Sequence, residues 1–379
     1  MQTPLIGKPR SYRPIRLSNW DLLRSLCMLA VVVVHSESFL GSLTGINAGS
    51  IASASAILCD PLFFALSGYF AIRPLKSRLF SYYSRKVSTI ILPLLVYSFL
   101  LYLYSTGFAG FSIHDYIAYF SQVLTPWWFI PALIPFLVVA PFLNWLFEKL
   151  DERQIKSIAI LACTLTAWGF ISYVLTWAFR SAGHETLVLA VGILQQLAPM
   201  VMIPGSAYFM YFCLGYFFRR LAPLAADITR KKLIVLGLFA WAADVVCAYF
   251  GVDRFVPSFP WLFVCIAVLF IFDRIRIDNT VVQRILEWTG RRSYAIYLLQ
   301  YTAIAIVAPF VYDTLLAGSI GGFIAPIRLL IWIGMVAGSY LLSLAVASVV
   351  DVTLLKLVQV GYERLVAMVG KRFDSAAIR

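Results

Sequence analysis

The chain alternates apolar stretches of about 20 residues with short basic loops, and this alternation limits its fold more than any other feature. A helix that crosses a bilayer needs about 20 mostly apolar residues. The pattern predicts ten such spans, at 20–40, 51–72, 88–106, 127–147, 156–179, 203–219, 232–251, 257–273, 292–314 and 326–349. Segment 186–200 is apolar but interrupted by Gln195, Gln196 and Pro199, so we predict an interfacial or re-entrant helix there.

Composition supports a membrane protein. The chain is 61% hydrophobic and 13% charged, whereas about a quarter of the residues in a soluble domain are charged. Such a chain has too little polar surface to cover itself in water. We therefore predict an all-α polytopic bundle of about ten transmembrane helices in a lipid bilayer.

The distribution of basic residues predicts the orientation of the bundle. Of 31 Lys and Arg residues, 27 lie in the two tails and in alternate loops, and 3 lie in the remaining loops. Because positive loops stay in the cytoplasm, both termini are predicted to be cytoplasmic. We divide the chain into a basic N-tail (1–19), one membrane domain (20–349) and a cytoplasmic C-tail (350–379), with no loop long enough for a soluble domain.

The sequence disfavours nucleic-acid binding and a metal site. The net charge of +13 would suit nucleic acid only on a basic face of a soluble fold, and here the charge sits in short loops. The six cysteines lie in apolar stretches without a C-x-x-C pair, so we expect no metal site and small core residues instead.

The first span contains two ionisable residues on one helix face. Arg24 and His35 are 11 residues apart, which is almost three whole turns and about 16 Å along the axis. Asp21 lies one turn before Arg24 and is placed to pair with it. Ionisable residues inside a span are expensive and mark functional sites.

His35 has two interpretations. Histidine gives and takes a proton near neutral pH, so His35 can act as a general base. The alternative is a structural imidazole bonded to a neighbouring carbonyl or Ser. Asp60, at a similar depth in the second span, either orients the imidazole or is a structural hydrogen-bond partner.

Two further groups are open to two interpretations each. Arg85 and Lys86 begin the third span and serve either as topology determinants and lipid contacts or as ligands of an anionic cofactor. Trp127 and Trp128 begin the fourth span and form either part of an aromatic belt or a platform for stacking a sugar.

Together these residues resemble the acyltransferase-3 family of membrane O- and N-acyltransferases. The first span has the family's Arg-x10-His pattern at Arg24 and His35. Further stretches resemble its motifs in order over residues 17–348: FFALSGY at 63–69, the basic segment before a proline at 83–93, WFIP at 128–131 with Pro141, LGYF at 214–217 and YAIYLL at 294–299.

The resemblance implies a ten-helix domain in the form that lacks a fused SGNH-type domain, in a bacterial cytoplasmic (inner) membrane. It implies that an acyl group, commonly acetyl, moves from a CoA thioester to a hydroxyl of a cell-surface glycan or lipid-linked sugar. Acyl-CoA is then a co-substrate rather than a permanently bound cofactor. His35, Arg24 and Asp60 are the expected catalytic residues, and Arg85, Lys86 and Arg24 the expected donor-binding residues.

The chain departs from the family pattern at two places. Ser88 and Thr89 stand where the family often has a second basic residue. Gln300 stands where the family commonly has His after the IYL motif, and since an amide cannot act as a base, Gln300 joins Trp127 and Trp128 as an expected substrate-binding residue.

The residues leave two other functions open. A carrier or flippase for a glycan or lipid would use its intramembrane charges to bind substrate or protons, although many such carriers have repeated halves and none is visible here. A scaffold without chemistry is the third alternative. The sequence predicts no oligomeric state.

Overall fold

The protein is a bundle of helices in the computed structural model, which describes residues 17–75, 78–108, 110–197, 206–225, 227–252, 259–316 and 322–376. The first helices are α1 (Ser18–His35), α2 (Glu37–Leu40), α3 (Ala48–Ala56), α4 (Cys59–Ala71), α5 (Leu79–Lys86), α6 (Leu92–Ser105), α7 (Ile113–Val123), α8 (Phe129–Phe147) and α9 (Glu152–Ser181). The others are α10 (Glu185–Leu197), α11 (Ser206–Leu221), α12 (Arg230–Tyr249), α13 (Phe259–Asp273), α14 (Thr280–Arg291), α15 (Ser293–Pro309), α16 (Ala325–Val350) and α17 (Lys356–Ala376).

Irregular segments connect some of these helices. The only sheet in the described residues is a hairpin of β1 (Ser42–Leu43) and β2 (Ile46–Asn47). A short 3₁₀-helix, Ala222–Ala225, follows α11. Three π-helical segments continue α5, α15 and α16, at Val87–Ile91, Phe310–Leu315 and Asp351–Leu355.

Seven of the described helical stretches are long and apolar enough to cross a membrane. They are Ala48–Ala71, Leu79–Ser105, Phe129–Phe147, Glu152–Ser181, Arg230–Tyr249, Ser293–Leu315 and Ala325–Met368. The chain is therefore a helical integral membrane protein, as its composition indicates. The number of ten spans and the cytoplasmic position of both ends stay predictions.

The remaining predicted spans coincide with shorter or more polar helices. Helix α1 has 18 residues and carries Asp21 and Arg24, α11 has 16 residues and α13 has 15. Segment 186–200 forms α10, which packs against α9 and ends at Leu197. The last residues of that segment and residues 1–16 of the N-tail lie outside the described residues.

The last span continues well past its predicted end. Ala325–Met368 is one helical stretch of 44 residues, which is about 66 Å long and about twice the thickness of a hydrocarbon core. No Gly or Pro interrupts the chain near the predicted boundary at 350. Residues 350–376 are therefore helical, and part of this helix lies beyond the bilayer core.

Helices α4 and α11 cross with their backbones in direct contact. A Cβ on Gly68 would lie 1.7 Å from the Phe212 carbonyl oxygen, and one on Gly215 would lie 1.9 Å from the Ala65 carbonyl oxygen. Small residues permit such an approach and drive helix association in membranes. The glycines of the FFALSGY and LGYF stretches therefore meet each other across one helix pair.

Two arginines at the end of α11 cap neighbouring helices. Arg219 donates to the carbonyls of Tyr69 and Ile72 at 2.6 and 2.7 Å, at the end of α4. Arg220 donates to the carbonyls of Phe147 and Leu150 at 2.7 and 2.9 Å, at the end of α8. Because the last carbonyls of a helix lack partners within it, these basic residues satisfy them and fix α4, α8 and α11 together.

We expect Gly215→Ala to abolish the α4–α11 crossing, because its methyl group would overlap the Ala65 carbonyl and force the two backbones apart. Overpacking typically costs about 1–3 kcal/mol, and backbone overlap should cost more. The measurement is the monodisperse peak in size-exclusion chromatography together with thermal unfolding in detergent. Gly334→Ala is the control, since a Cβ there meets nothing within 4 Å; equal behaviour of the two variants would contradict the prediction.

Candidate active site

The imidazole of His35 contacts Tyr301. His35 is the last residue of α1 and Tyr301 lies on α15. The Tyr301 hydroxyl oxygen is 2.9 Å from Nδ1 and 3.2 Å from Nε2 of His35, and the ring centroids are 4.5 Å apart. Helix α15 thus fixes the ring through one hydroxyl group.

A cavity of about 260 Å³ lies beside Arg24, and we call it the Arg24 cavity. Its basic lining residues are Arg24 and Lys86. Apolar side chains form most of its wall, and its polar groups also include Ser67, Thr89, Ser293 and Asp60. The cavity therefore combines positive charge with an apolar interior.

A second cavity of about 290 Å³ lies beside His35, and we call it the His35 cavity. It is lined by His35, Cys59, Trp128 and Tyr208, among others. Both cavities share the same four lining residues, which are Val31, Asp60, Phe129 and Tyr297. The two cavities are therefore neighbours, and together they extend from Arg24 to His35 along α1.

Arg24 is held in place by its own helix and by α4. Its guanidinium forms an ion pair with Asp21 at 2.9 Å and lies 4.4 Å from the centre of the Phe70 ring. The Asp21 carboxylate is buried, and it packs where a Cβ on Gly290 would stand. The predicted pairing with Asp21 is thus present, and it fixes a cation at the cavity wall.

Lys86 reaches the cavity at the start of a π-helical turn. Pro93 follows this turn, Val87–Ile91, and lacks an N–H donor. Side chains bond carbonyls in and beside this turn: Tyr294 donates to Ile90 at 3.0 Å and Gln359 of α17 to Ser88 at 2.9 Å. Two helices that are distant in the sequence thus stabilise the turn that directly follows Lys86.

The structure separates the two basic residues predicted to bind a donor. Lys86 lines the Arg24 cavity. Arg85 is exposed, and its Nε donates to the Ser81 carbonyl at 3.3 Å. Arg85 does not line the Arg24 cavity.

Asp60 lies between the cavities rather than on the imidazole. It occupies the first turn of α4, and its Oδ1 is 3.5 Å from the Cys59 sulfur. Across the described residues, no hydrogen bond joins Asp60 to His35. Orienting the imidazole was one of two interpretations of Asp60, and in the structure Tyr301 contacts that ring instead.

The two tryptophans have different surroundings. Trp127 is 2% exposed and packs in the hydrophobic core. Trp128 lines the His35 cavity, with its ring 5.2 Å from that of Tyr208. Only Trp128 of the predicted pair can meet a molecule in that cavity.

Comparison with known families identifies the chain. The acyltransferase-3 family model, described as an acyltransferase domain, matches residues 17–349. The chain belongs to the acyltransferase-3 family. It is a membrane acyltransferase, and residues of four of the motif stretches, 63–69, 83–93, 128–131 and 294–299, line the two cavities. No curated protein and no solved structure matches the chain.

Gln300, which directly follows the YAIYLL stretch, is fully buried on α15. Neither its amide nitrogen nor its amide oxygen has a hydrogen-bond partner within the described part of the acyltransferase. Gln300 lines neither of the two cavities. It is the residue before Tyr301 in the chain, and it lies outside both cavities.

Among the residues of the site that sequence reasoning missed are Tyr294, Tyr301 and Gln359. Tyr294, Tyr297 and Tyr301 are spaced by three and four residues, which is the signature of one helix face. That stripe could have revealed the two tyrosines. Gln359 had no such signal, because it contacts Ser88 from a segment 271 residues away.

We expect Gln359→Leu to loosen the π-helical turn, because the Ser88 carbonyl loses its side-chain donor. A hydrogen bond of this kind contributes about 0.5–1.5 kcal/mol, so amide exchange over residues 87–92 should become roughly 2- to 10-fold faster. Hydrogen exchange with mass spectrometry measures it. Gln283→Leu removes a 2.6 Å bond to the Ile277 carbonyl and should leave the exchange rates of residues 87–92 unchanged. Equal exchange rates over 87–92 in the two variants would contradict a role of Gln359 in stabilising the turn.

Proposed function

We propose that this acyltransferase moves an acyl group, acetyl as the first candidate, from a CoA thioester to a hydroxyl of a glycan or lipid-linked sugar. The observation that carries the proposal is the pair of neighbouring cavities from Arg24 and Lys86 to His35. Arg24 and His35 are about 16 Å apart along α1. A long donor with charge at one end and a reactive carbonyl at the other fits this arrangement.

The Arg24 cavity has the chemistry to hold the charged part of CoA. Guanidinium and ammonium groups bind phosphates through charge-assisted hydrogen bonds. Arg24 and Lys86 supply both kinds of group at one wall, and Ser67 and Ser293 add hydroxyls. The apolar remainder of the cavity suits the flexible arm that carries the thioester.

His35 then acts as the general base. Its imidazole takes the proton of the acceptor hydroxyl as that oxygen attacks the thioester carbonyl. The carbon–sulfur bond breaks, CoA leaves as a thiolate, and the imidazolium returns the proton to the sulfur. The Tyr301 hydroxyl lies 2.9 Å from Nδ1 and 3.2 Å from Nε2, so the acceptor hydroxyl would take its place at one of these two ring nitrogens.

Trp128 is our candidate for contact with the acceptor. Its ring lines the His35 cavity, and an aromatic face suits the apolar face of a sugar. With the predicted orientation, Arg24 and Lys86 lie toward the cytoplasm and His35 in the outer half of the membrane. We propose a bacterial cytoplasmic membrane, in which the acceptor enters opposite the donor.

The experiment uses the purified full chain in lipid with acetyl-CoA labelled in its acetyl group and extracts of candidate glycans. Transfer of label to a glycan with release of free CoA thiol supports the proposal. Movement of a glycan or lipid across vesicles without loss of thioester would overturn it in favour of a carrier. If the protein shows neither transfer nor transport with any extract, the proposal is overturned in favour of a scaffold.

We expect His35→Ala to lower kcat for acyl transfer by roughly 10²–10⁴-fold, which is the usual contribution of a general base. The variant should still elute as folded protein, because His35 is only half-buried. His114→Ala is the matched control, since that imidazole is 90% exposed on α7. Near-normal turnover by His35→Ala would eliminate His35 as the base.

We expect Lys86→Gln to raise the KM for acyl-CoA by roughly 10- to 100-fold, because a hydrogen bond to a charged group contributes about 1.5–3 kcal/mol. Arg85→Gln should raise it much less, since Arg85 lies outside the Arg24 cavity. Initial rates across a range of donor concentrations measure both. A larger effect of Arg85→Gln would place the donor on the other side of α5.

A further inference from the structure

The boundary between the two cavities is a ring of four side chains, which we call the neck. Val31, Asp60, Phe129 and Tyr297 each line both cavities. They come from four different helices, α1, α4, α8 and α15. Anything that extends from Arg24 to His35 must pass these four residues.

Phe129 packs against aromatic rings from α4. Its ring centroid is 4.6 Å from that of Phe64, which is fully buried, and 5.9 Å from that of Phe63. It also meets the Tyr297 ring edge to face, with the centroids 5.8 Å apart, so the two rings form one continuous aromatic wall of the neck. Because Phe64 is fully buried, the core of the bundle lies behind the Phe129 ring on that side.

The neck is apolar on three sides. Asp60 is its one charged member, while Val31 and the two aromatic rings form the rest. An unbranched chain is the narrowest organic group, and a branched or aromatic group is wider. If the donor arm is to reach His35, its acyl end must pass the rings of Phe129 and Tyr297 first.

We propose that Phe129, beside Tyr297, determines which acyl groups the enzyme accepts, admitting unbranched groups such as acetyl and excluding branched or aromatic ones. This inference rests on the proposed acyl-CoA donor. It identifies Phe129 as a specificity-determining residue by the space that its ring occupies in the neck. One extra methyl group against an apolar wall typically changes kcat/KM by about 10- to 200-fold.

The test compares acetyl-, butyryl-, isobutyryl- and benzoyl-CoA with the wild-type chain, Phe129→Leu and Phe129→Ala. The readout is the ratio of kcat/KM for isobutyryl-CoA to that for acetyl-CoA, which is independent of how much of a variant is folded. We expect the ratio to rise by about 10-fold or more in Phe129→Ala and by less in Phe129→Leu. Benzoyl-CoA should become a substrate only when the ring is removed.

Phe136→Ala is the matched control. Phe136 lies two turns further along α8 and contacts the same Phe64 ring, at 5.6 Å, but it lines neither cavity. Its variant should lose stability and keep the wild-type ratio.

Three results would overturn the inference. A wild-type chain that uses isobutyryl-CoA as well as acetyl-CoA has no such filter. An unchanged ratio in both Phe129 variants, with acetyl transfer intact, refutes the role of Phe129 alone and leaves the proposed function standing. A wild-type chain that consumes no acyl-CoA refutes the proposed function and this inference together.

Discussion

The backbone contact between α4 and α11 supports the rest of the structure. Gly68 and Gly215 let the two helices approach until carbonyl groups fill the space of a side chain. In lipid, apolar side chains gain little from meeting one another, so such close packing stabilises a helix pair more than apolar area does. Arg219 then fixes the end of α4 by capping its last carbonyls. Because α4 carries Asp60 and Ser67, this crossing also sets one wall of both cavities.

The cavities depend on irregular helix geometry. A π-helical turn inserts an extra residue and is frequent at functional sites. At Val87–Ile91 the hydroxyl of Tyr294 and the amide of Gln359 bond carbonyls of the turn, so its polar groups have partners in an apolar environment. The same turn brings Lys86 to the Arg24 cavity. The C-terminal helix, which sequence reasoning treated as a tail, is therefore part of the frame that supports the candidate donor site.

Much of the fold followed from short-range patterns in the sequence. Apolar stretches of span length indicated a helical membrane protein, and the spacing of Asp21, Arg24 and His35 placed all three on α1. The same reasoning failed where partners come from distant helices. It offered Asp60 as one possible partner of the imidazole, whereas Tyr301 makes that contact. It treated Trp127 and Trp128 as a pair, whereas one packs in the core and the other lines the His35 cavity.

The sequence by itself determined that this is a helical membrane protein, because that depends on composition and on the length of the apolar stretches. It also determined the family, through the order of the motifs, and the alignment of Arg24 with His35, through helix periodicity. The tertiary structure decided which residues share a cavity. It placed Lys86 but not Arg85 at the Arg24 cavity, and Asp60 and Phe129 in the neck. It left Gln300 outside both cavities. The physical reason is that helix periodicity specifies a face of one helix, while the neighbour of that face depends on packing between helices far apart in the chain.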